Sequence, residues 1–245
     1  MEFDSPYPLH LISLNMIIRY PQNTKGRDLI VGDIHGHFTK LRARLDEVGF
    51  NPETDRLFSV GDLVDRGPES HDVIDWLKFS WFHPVQGNHE DMAIRWGKPD
   101  CRMDRENYML NGGAWNIGNT PEERAEYSFA LDALPLAIEI ETEHGLVGVV
   151  HAEPTESWDD LRGFLLDPQI EKKHLKALRQ CVLWDRTRVE GGYVQIVPGV
   201  RAVIVGHTPM KKSITLGNVI YIDTAGWHPN GSGFTLLDAK TLLPT

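Results

Sequence analysis

The chain has 245 residues, and its 25 lysines and arginines against 35 aspartates and glutamates give a formal net charge of −10. This acidic balance argues against a surface built for nucleic acid or anionic membranes, because binding to either depends on clustered positive charge. With 41% hydrophobic and 24% charged residues, the composition is typical of a globular protein rather than a disordered one. We therefore expect neither a nucleic acid nor a membrane as partner.

The two cysteines, Cys101 and Cys181, are far apart and form no C-x-x-C pair, which argues against a disulfide framework and a cysteine zinc site. We expect a reducing compartment, and hence a cytoplasmic location. The apolar run at residues 9–18 follows the acidic Glu2 and Asp4 instead of a basic segment, so it does not read as a signal peptide. It is also shorter than the roughly 20 residues that span a bilayer.

Short apolar runs alternate with helical patterns along the chain, which is typical of an α/β fold. Strands are predicted at 29–31, 57–60, 82–86, 136–140, 146–150, 202–205, 219–222 and 234–237. Helices are predicted at 38–48, from Pro68 to residue 77, over most of 100–135 with a capping box at Thr120, and over 156–180. Since Met16 is a plausible start, we interpret residues 1–15 as an extension or leader, followed by one domain at 16–245 with helical insertions near 100–135 and 156–180.

Side chains that can bind metal follow five of the predicted strands. They are Asp33 with His35, Asp62, Asn88, His151 and His207. Taken singly, such residues more often cap turns or face solvent. The carboxyl ends of strands in an α/β sheet form a common crevice, however, so these residues are expected to converge there. Six oxygen and nitrogen donors without a thiolate suit Mn²⁺, Fe²⁺ or a mixed pair better than a structural zinc site.

Three motifs in a fixed order carry a family resemblance: GDIHG at 32–36, GDLVDRG at 61–67 and GNHE at 87–90. They resemble the phosphoprotein phosphatases, which are binuclear calcineurin-like metallophosphatases. The likeness continues through HA at 151–152, WDR at 184–186 and GHTP at 206–209, and covers residues 16–238. LNGG at 110–113 and YIDT at 221–224 add a likeness to the small bacterial and bacteriophage members. The resemblance implies an α/β fold with a central β-sandwich flanked by helices, in α/β/β/α layers.

The resemblance also implies two divalent metal ions, expected to be Mn²⁺, with Fe²⁺, Zn²⁺ and Ni²⁺ as alternatives. Their ligands would be Asp33, His35 and Asp62 for one ion, and Asp62, Asn88, His151 and His207 for the other. The shared Asp62 carboxylate would keep the ions about 3.5 to 4 Å apart, so that a bridging hydroxide attacks phosphorus in line and in a single step.

Four further residues have roles implied by the resemblance. Arg66 and Arg186 would clamp the phosphoryl oxygens. His89 would protonate the leaving group as general acid, with Asp65 orienting its imidazole. One departure stands out: the family usually has an arginine two residues before the asparagine ligand, where this chain has Gln86. The lost charge predicts weaker phosphate binding or a shifted substrate preference.

The sequence thus predicts a metal-dependent phosphomonoesterase, foremost a protein serine/threonine phosphatase that could also accept phosphotyrosine. Its partner would be a phosphorylated protein or a small phosphoester substrate. Two alternatives stay open: a hydrolase of dinucleoside tetraphosphates, and a catalytically silent phosphate-binding scaffold, which only Gln86 favours. Trp76, Trp81 and Trp115 are expected in the core. Trp227 is a weaker candidate to border the cleft.

Overall fold

The computed structural model describes residues 16–98, 100–101 and 103–245, so the predicted leader at 1–15 lies outside the described residues. The strands are β1 (Ile17–Tyr20), β2 (Asp28–Val31), β3 (Arg56–Ser59), β4 (Phe82–Pro84), β5 (Ala137–Thr142), β6 (Gly145–Val149), β7 (Ala202–Val205), β8 (Ile214–Leu216), β9 (Val219–Tyr221) and β10 (Leu236–Asp238).

The helices lie mainly between the strands, and several of them belong to the two helical insertions. They are α1 (Phe38–Glu47), α2 (Val73–Leu77), α3 (Asn88–Gly97), α4 (Arg105–Leu110), α5 (Ala114–Ile117), α6 (Pro121–Asp132), α7 (Trp158–Leu166), α8 (Lys172–Trp184) and α9 (Thr187–Gly191). A 3₁₀ turn at Ser70–Asp72 leads into α2. Among the described residues, no helix is both long enough and apolar enough to cross a membrane.

The strands form two sheets. One has four strands in the order β10-β2-β3-β4, and the other has six in the order β1-β5-β6-β7-β9-β8. Strands β2, β3 and β4 run parallel, as do β6, β7 and β9. Parallel neighbours need crossover connections, and within each sheet the carboxyl ends of these three strands lie on the same side.

Side chains along the buried strands alternate between two cores, as the predicted α/β fold requires. In β2, Leu29 and Val31 pack against the helices α1 to α4, whereas Ile30 faces the other sheet and contacts its residues in a shared core. This alternation has the period of two that is expected of a strand. Helices α7 and α8 pack against the outer face of the six-stranded sheet. The layers are therefore helix, sheet, sheet and helix, as the family resemblance implied.

Several element boundaries differ from the prediction. The helix predicted at 156–180 is divided into α7 and α8, because Pro168 disfavours a helical conformation at Asp167, whose ψ is 108°. Helix α3 was not predicted. Strands β1 and β8 and helix α9 were missed as well, since runs of three to five residues carry little periodicity. The capping box is confirmed: the Thr120 hydroxyl accepts a hydrogen bond from the Glu123 amide at 3.2 Å, and the Glu123 carboxylate accepts one from the Thr120 amide at 2.8 Å.

Candidate active site

The six predicted metal ligands lie close together, in segments that follow strands of both sheets. The four-stranded sheet supplies Asp33, His35, Asp62 and Asn88 from the segments after β2, β3 and β4, and the six-stranded sheet supplies His151 and His207 from those after β6 and β7. All six side chains are buried, with at most 5% exposure. The predicted convergence of strand ends is therefore what the structure shows.

Asp62 lies at the centre of this group. Its Oδ2 is 3.5 Å from His35 Nε2, and its Oδ1 is 3.4 Å from His151 Nε2. Two sets of side chains that could hold a metal ion share this residue: one is Asp62 with His35 and His89, the other Asp62 with His151 and His207. Asp33 approaches the first set, with its Oδ2 4.0 Å from His35 Nε2. Asp62 thus turns one carboxylate oxygen toward each set.

The tautomers of the three predicted histidine ligands follow from their backbone contacts. One ring nitrogen of each lies near a carbonyl oxygen: His35 Nδ1 is 2.9 Å from Val64 O, His151 Nδ1 is 2.8 Å from Val60 O, and His207 Nε2 is 3.3 Å from Trp184 O. Because a carbonyl oxygen only accepts hydrogen bonds, that nitrogen carries the hydrogen and the other presents a lone pair. Metal-bound histidines are usually oriented in this way.

These lone pairs converge in a manner that calls for a cation. Asn88 Oδ1 lies 2.8 Å from His151 Nε2 and 2.9 Å from His207 Nδ1, and the two nitrogens are 3.1 Å apart. Burial and the neighbouring His151 lower the pKa of His207 to about 3, so a second ring proton is not available to separate the three acceptors at neutral pH. The donors are nitrogen and oxygen atoms without sulfur, so the residues fit a pair of ions such as Mn²⁺ or Fe²⁺.

The carboxylates that are buried in the site also indicate a bound cation. Burial, followed by the Asp223 and Asp62 carboxylates, raises the pKa of Asp33 well above its usual range. Divalent cations in this crevice would offset the repulsion among the carboxylates.

The backbone of the site is held in uncommon conformations. His35, Asp62 and His207 have φ values of 45°, 50° and 64°, in the left-handed region that residues with a side chain rarely adopt. The buried Glu90 carboxylate stabilises part of this arrangement by accepting hydrogen bonds from the Asp62 and Gly87 amides at 2.8 and 2.7 Å. A Cβ atom at Gly87 would lie only 2.2 Å from Asp62 Oδ1, which explains the glycine before the asparagine ligand.

His89 and Asp65 form a buried pair beside the ligand cluster. His89 Nδ1 lies 2.7 Å from Asp65 Oδ2, and neither residue is more than 1% exposed. Burial alone lowers the pKa of His89, but the Asp62 charge and the Asp65 hydrogen bond outweigh it and raise the pKa above the ordinary value. His89 therefore retains a proton more readily than the three histidines proposed as ligands.

The two predicted phosphate-binding arginines lie at the edge of the cluster. Arg66 Nη1 is 2.7 Å from His35 Nε2 and its Nη2 is 3.0 Å from His89 Nε2. Arg186 Nη2 donates to the backbone oxygen of His207 at 3.4 Å. Trp227 does border the cleft: its ring lies 4.6 Å from the Arg66 guanidinium and 4.8 Å from the His35 ring.

Gln86 does not face the ligand cluster. Its side-chain nitrogen donates to the backbone oxygens of Leu131 at 3.0 Å and Leu134 at 3.3 Å, and its oxygen accepts from Arg179 at 2.8 Å. The glutamine amide therefore does not take the place of an arginine at the cluster, and weaker phosphate binding due to the lost charge stays a prediction. Both amide hydrogens are already used to join the segment before α3 to the end of α6.

The sequence analysis missed the partners of Asp65. Trp115, expected simply in the core, is partly buried and donates its indole N–H to Asp65 Oδ1 at 2.6 Å, and the Tyr108 hydroxyl donates to the same oxygen at 3.4 Å. These residues lie more than 40 positions from Asp65, and no local pattern connects them to it. Only the LNGG likeness at 110–113 pointed to this part of the helical insertion.

Comparison with known proteins defines the class. Residues 27–211 match the calcineurin-like phosphoesterase family. The chain belongs to this family, and with its buried His/Asp groups it is a metal-dependent phosphatase.

Particular relatives add detail. The chain is 38% identical to serine/threonine-protein phosphatase 1 of Salmonella typhimurium over 204 residues, which is 80% of this chain and 84% of that protein. It is 46% identical to a symmetrical bis(5'-nucleosyl)-tetraphosphatase of Erwinia tasmaniensis, but over only 63 residues, or 25% and 23% of the two chains. A solved protein serine/threonine phosphatase from Saccharomyces cerevisiae has the same fold, with a TM-score of 0.62 at 15% identity over 91% and 77% of the chains.

Proposed function

We propose that the protein is a serine/threonine protein phosphatase that uses two divalent cations, preferably Mn²⁺, and accepts phosphorylated proteins and small phosphoesters. The observation that carries the proposal is the position of Asp62, which directs one carboxylate oxygen to each of two buried sets of ligands. Coverage of 84% of a bacterial serine/threonine phosphatase supports this substrate class. The two free cysteines agree with a reducing, cytoplasmic location.

The geometry supports the ligands that the family resemblance implies for the two cations. Asp33, His35 and Asp62 would hold one ion, and Asp62, Asn88, His151 and His207 the other. Divalent cations in such a site lower the pKa of water and thereby supply a nucleophile at neutral pH. The backbone carbonyls that accept the histidine N–H groups keep the ligand nitrogens directed inward.

The remaining residues act on the substrate itself. Arg66 and Arg186 are long enough to donate charge-assisted hydrogen bonds to phosphoryl oxygens at the mouth of the cluster. His89 lies on the same side as Arg66 and donates a proton from Nε2 to the departing oxygen. Its Nδ1–H remains bonded to Asp65, so the ring orientation is fixed while the proton moves.

A second candidate function is hydrolysis of dinucleoside tetraphosphates, which the 46% identity to a tetraphosphatase over 63 residues favours. That likeness covers a quarter of the chain, against four fifths for the serine/threonine phosphatase. Substrate preference therefore distinguishes the two functions more clearly than the chemistry of the site does.

The test compares rates with Mn²⁺ on a phosphoserine peptide, para-nitrophenyl phosphate and diadenosine tetraphosphate. We expect a kcat/KM for the phosphopeptide that exceeds the value for diadenosine tetraphosphate by at least about tenfold, which corresponds to roughly 1.4 kcal/mol of transition-state binding. A reversed ratio supports the tetraphosphatase. Binding of metal without hydrolysis of any of the three supports the silent scaffold. His144→Asn, on an exposed turn, serves as a control for substitutions of site histidines.

A further inference from the structure

The carboxylate of Asp65 is held from two sides. Its Oδ2 bonds to His89, and its Oδ1 accepts the indole N–H of Trp115 at 2.6 Å. The Tyr108 hydroxyl approaches Oδ1 as well, but at 3.4 Å it contributes much less. Asp65 is fully buried, so its orientation depends on these side chains rather than on water.

Trp115 belongs to the helical insertion, which contacts Asp65 and its neighbour Arg66. The Gly112 carbonyl accepts a hydrogen bond from the Arg66 amide at 3.2 Å, and a Cβ at Gly112 would lie 2.4 Å from that amide nitrogen. Asp65 and Arg66 have φ values of 68° and 66°, a conformation that needs outside support. The insertion therefore provides contacts that sustain this turn.

The chemistry of the indole suits this position. An indole N–H only donates, so Trp115 cannot take a proton from the His89–Asp65 pair or compete with Asp65 as the acceptor of the His89 N–H. Its ring is itself fixed between His71 and Tyr127, with ring centroids at 5.1 and 4.9 Å. A rigid donor at 2.6 Å directs the other oxygen of Asp65 toward His89.

We propose that Trp115 is a positioning residue for protonation of the leaving group. It holds Asp65, and Asp65 in turn holds His89 with Nε2 directed to the departing oxygen. This proposal rests on the proposed function, in which His89 is the general acid. Within the part of the chain that the structure describes, Trp115 bonds to Asp65 and packs on His71 and Tyr127 rather than on the proposed metal ligands, so it would act through the His89–Asp65 pair.

The test measures kcat of Trp115→Phe on a series of aryl phosphates with different leaving groups. We expect a loss of about 10- to 100-fold for phenyl phosphate, the order of loss that misplacement of a catalytic group by about 1 Å produces. For para-nitrophenyl phosphate the loss should be below about threefold, because a good leaving group needs little protonation. KM and metal content should not change.

Two comparisons separate positioning from loss of structure. Trp81→Phe, at another partly buried tryptophan that stacks on Phe79, should leave the dependence on the leaving group as in the wild type. Benzothienylalanine at position 115 keeps the size of the indole but lacks the N–H, so it tests the hydrogen bond even if Trp115→Phe fails to fold. It should reproduce the selective loss on phenyl phosphate.

The double variant Trp115→Phe/His89→Asn gives the sharpest outcome. If Trp115 acts through His89, Trp115→Phe should have little further effect once His89 is replaced. A full additional loss in that background, or an equal loss on all leaving groups, overturns the positioning role. Inactivity of the wild type on every phosphoester overturns the proposed function instead, so the two failures are distinguishable.

Discussion

The two halves of the site are held in different ways. On the metal side, each histidine gives an N–H to a backbone carbonyl: His35 and His151 to carbonyls in the segment after β3, and His207 to the carbonyl at the end of α8. On the acid side, His89 depends on a chain of side chains, through Asp65 to Trp115. The first half is therefore fixed by backbone carbonyls, whereas the second depends on side chains, one of which a helical insertion supplies.

Because the two halves are held differently, substitutions in each half should have different effects on activity and on metal binding. A change on the metal side should remove the cations and with them nearly all activity. A change on the acid side should leave the cations bound and slow only the departure of poor leaving groups. The following predictions test that separation, from the largest expected effect to the smallest.

Asp62→Asn should have the largest effect, because it removes the charge shared by both sets of ligands. We expect kcat to fall by about a thousandfold or more, since metal ions contribute several kcal/mol of charge stabilisation. Metal analysis should show fewer ions per chain, and Asp46→Asn on the exposed face of α1 is the matched control. Normal activity in Asp62→Asn contradicts the shared-ligand arrangement.

His89→Asn should break the acid side alone. The expected loss in kcat is about 10²- to 10⁴-fold, greatest for poor leaving groups and least for para-nitrophenyl phosphate. The metal content should equal that of the wild type, because His89 Nδ1 is bonded to Asp65 and the residue is not among the proposed ligands. If His89→Asn loses a metal ion, the division between the two halves is wrong.

Gln86→Arg tests a residue that the structure places in neither half. An arginine there could not accept the hydrogen bond from Arg179 and would place a second positive charge beside that guanidinium. We expect the free energy of unfolding, measured in urea, to fall by about 1 to 3 kcal/mol, the cost of breaking a buried hydrogen-bonded group. KM should stay within about twofold of the wild type. A clear fall in KM at unchanged stability supports a phosphate-binding role for position 86.

Substitution of His83, a partly buried histidine outside the site, should have a smaller effect. Burial and then the Arg56 charge lower its pKa to about 4 in the folded protein. The unfolded chain, with an ordinary histidine pKa near 6.5, therefore binds more protons between these values, and stability falls as the pH drops through that window.

His83→Gln should lessen this acid-induced loss. Because the ring is only partly buried, we expect a difference of about 1 to 2 kcal/mol between pH 7 and pH 4. Urea unfolding of both proteins across that range measures it. Equal pH dependence in the two proteins contradicts the lowered pKa.

The two halves of the site also differ in how far the sequence could predict them. The ligand residues of the metal side follow strand ends, so hydrophobic runs and the glycines next to them locate each residue before any long-range contact is known. His89 and Asp65 belong to the same motifs. Trp115 could not be found in this way, because its bond to Asp65 spans 50 positions and depends on how the insertion packs.

The fold shows the same limit. The long apolar runs of β2, β3, β6 and β7 were predicted within one or two residues, since strands buried on two faces produce continuous hydrophobic segments. Strands β1 and β8, at the edges of the six-stranded sheet, exist because neighbouring strands pair with them. Gln86 is a similar case, since its orientation is set by backbone oxygens 45 and 48 residues away.

Metal analysis of the purified protein, combined with activity after chelation, tests the central claim most directly. We predict two Mn²⁺ ions per chain at saturation, loss of phosphatase activity when a chelator removes them, and recovery when Mn²⁺ is restored. A chain that binds one ion or none, or that keeps its activity after the metal is removed, contradicts a site in which Asp62 is shared between two cations.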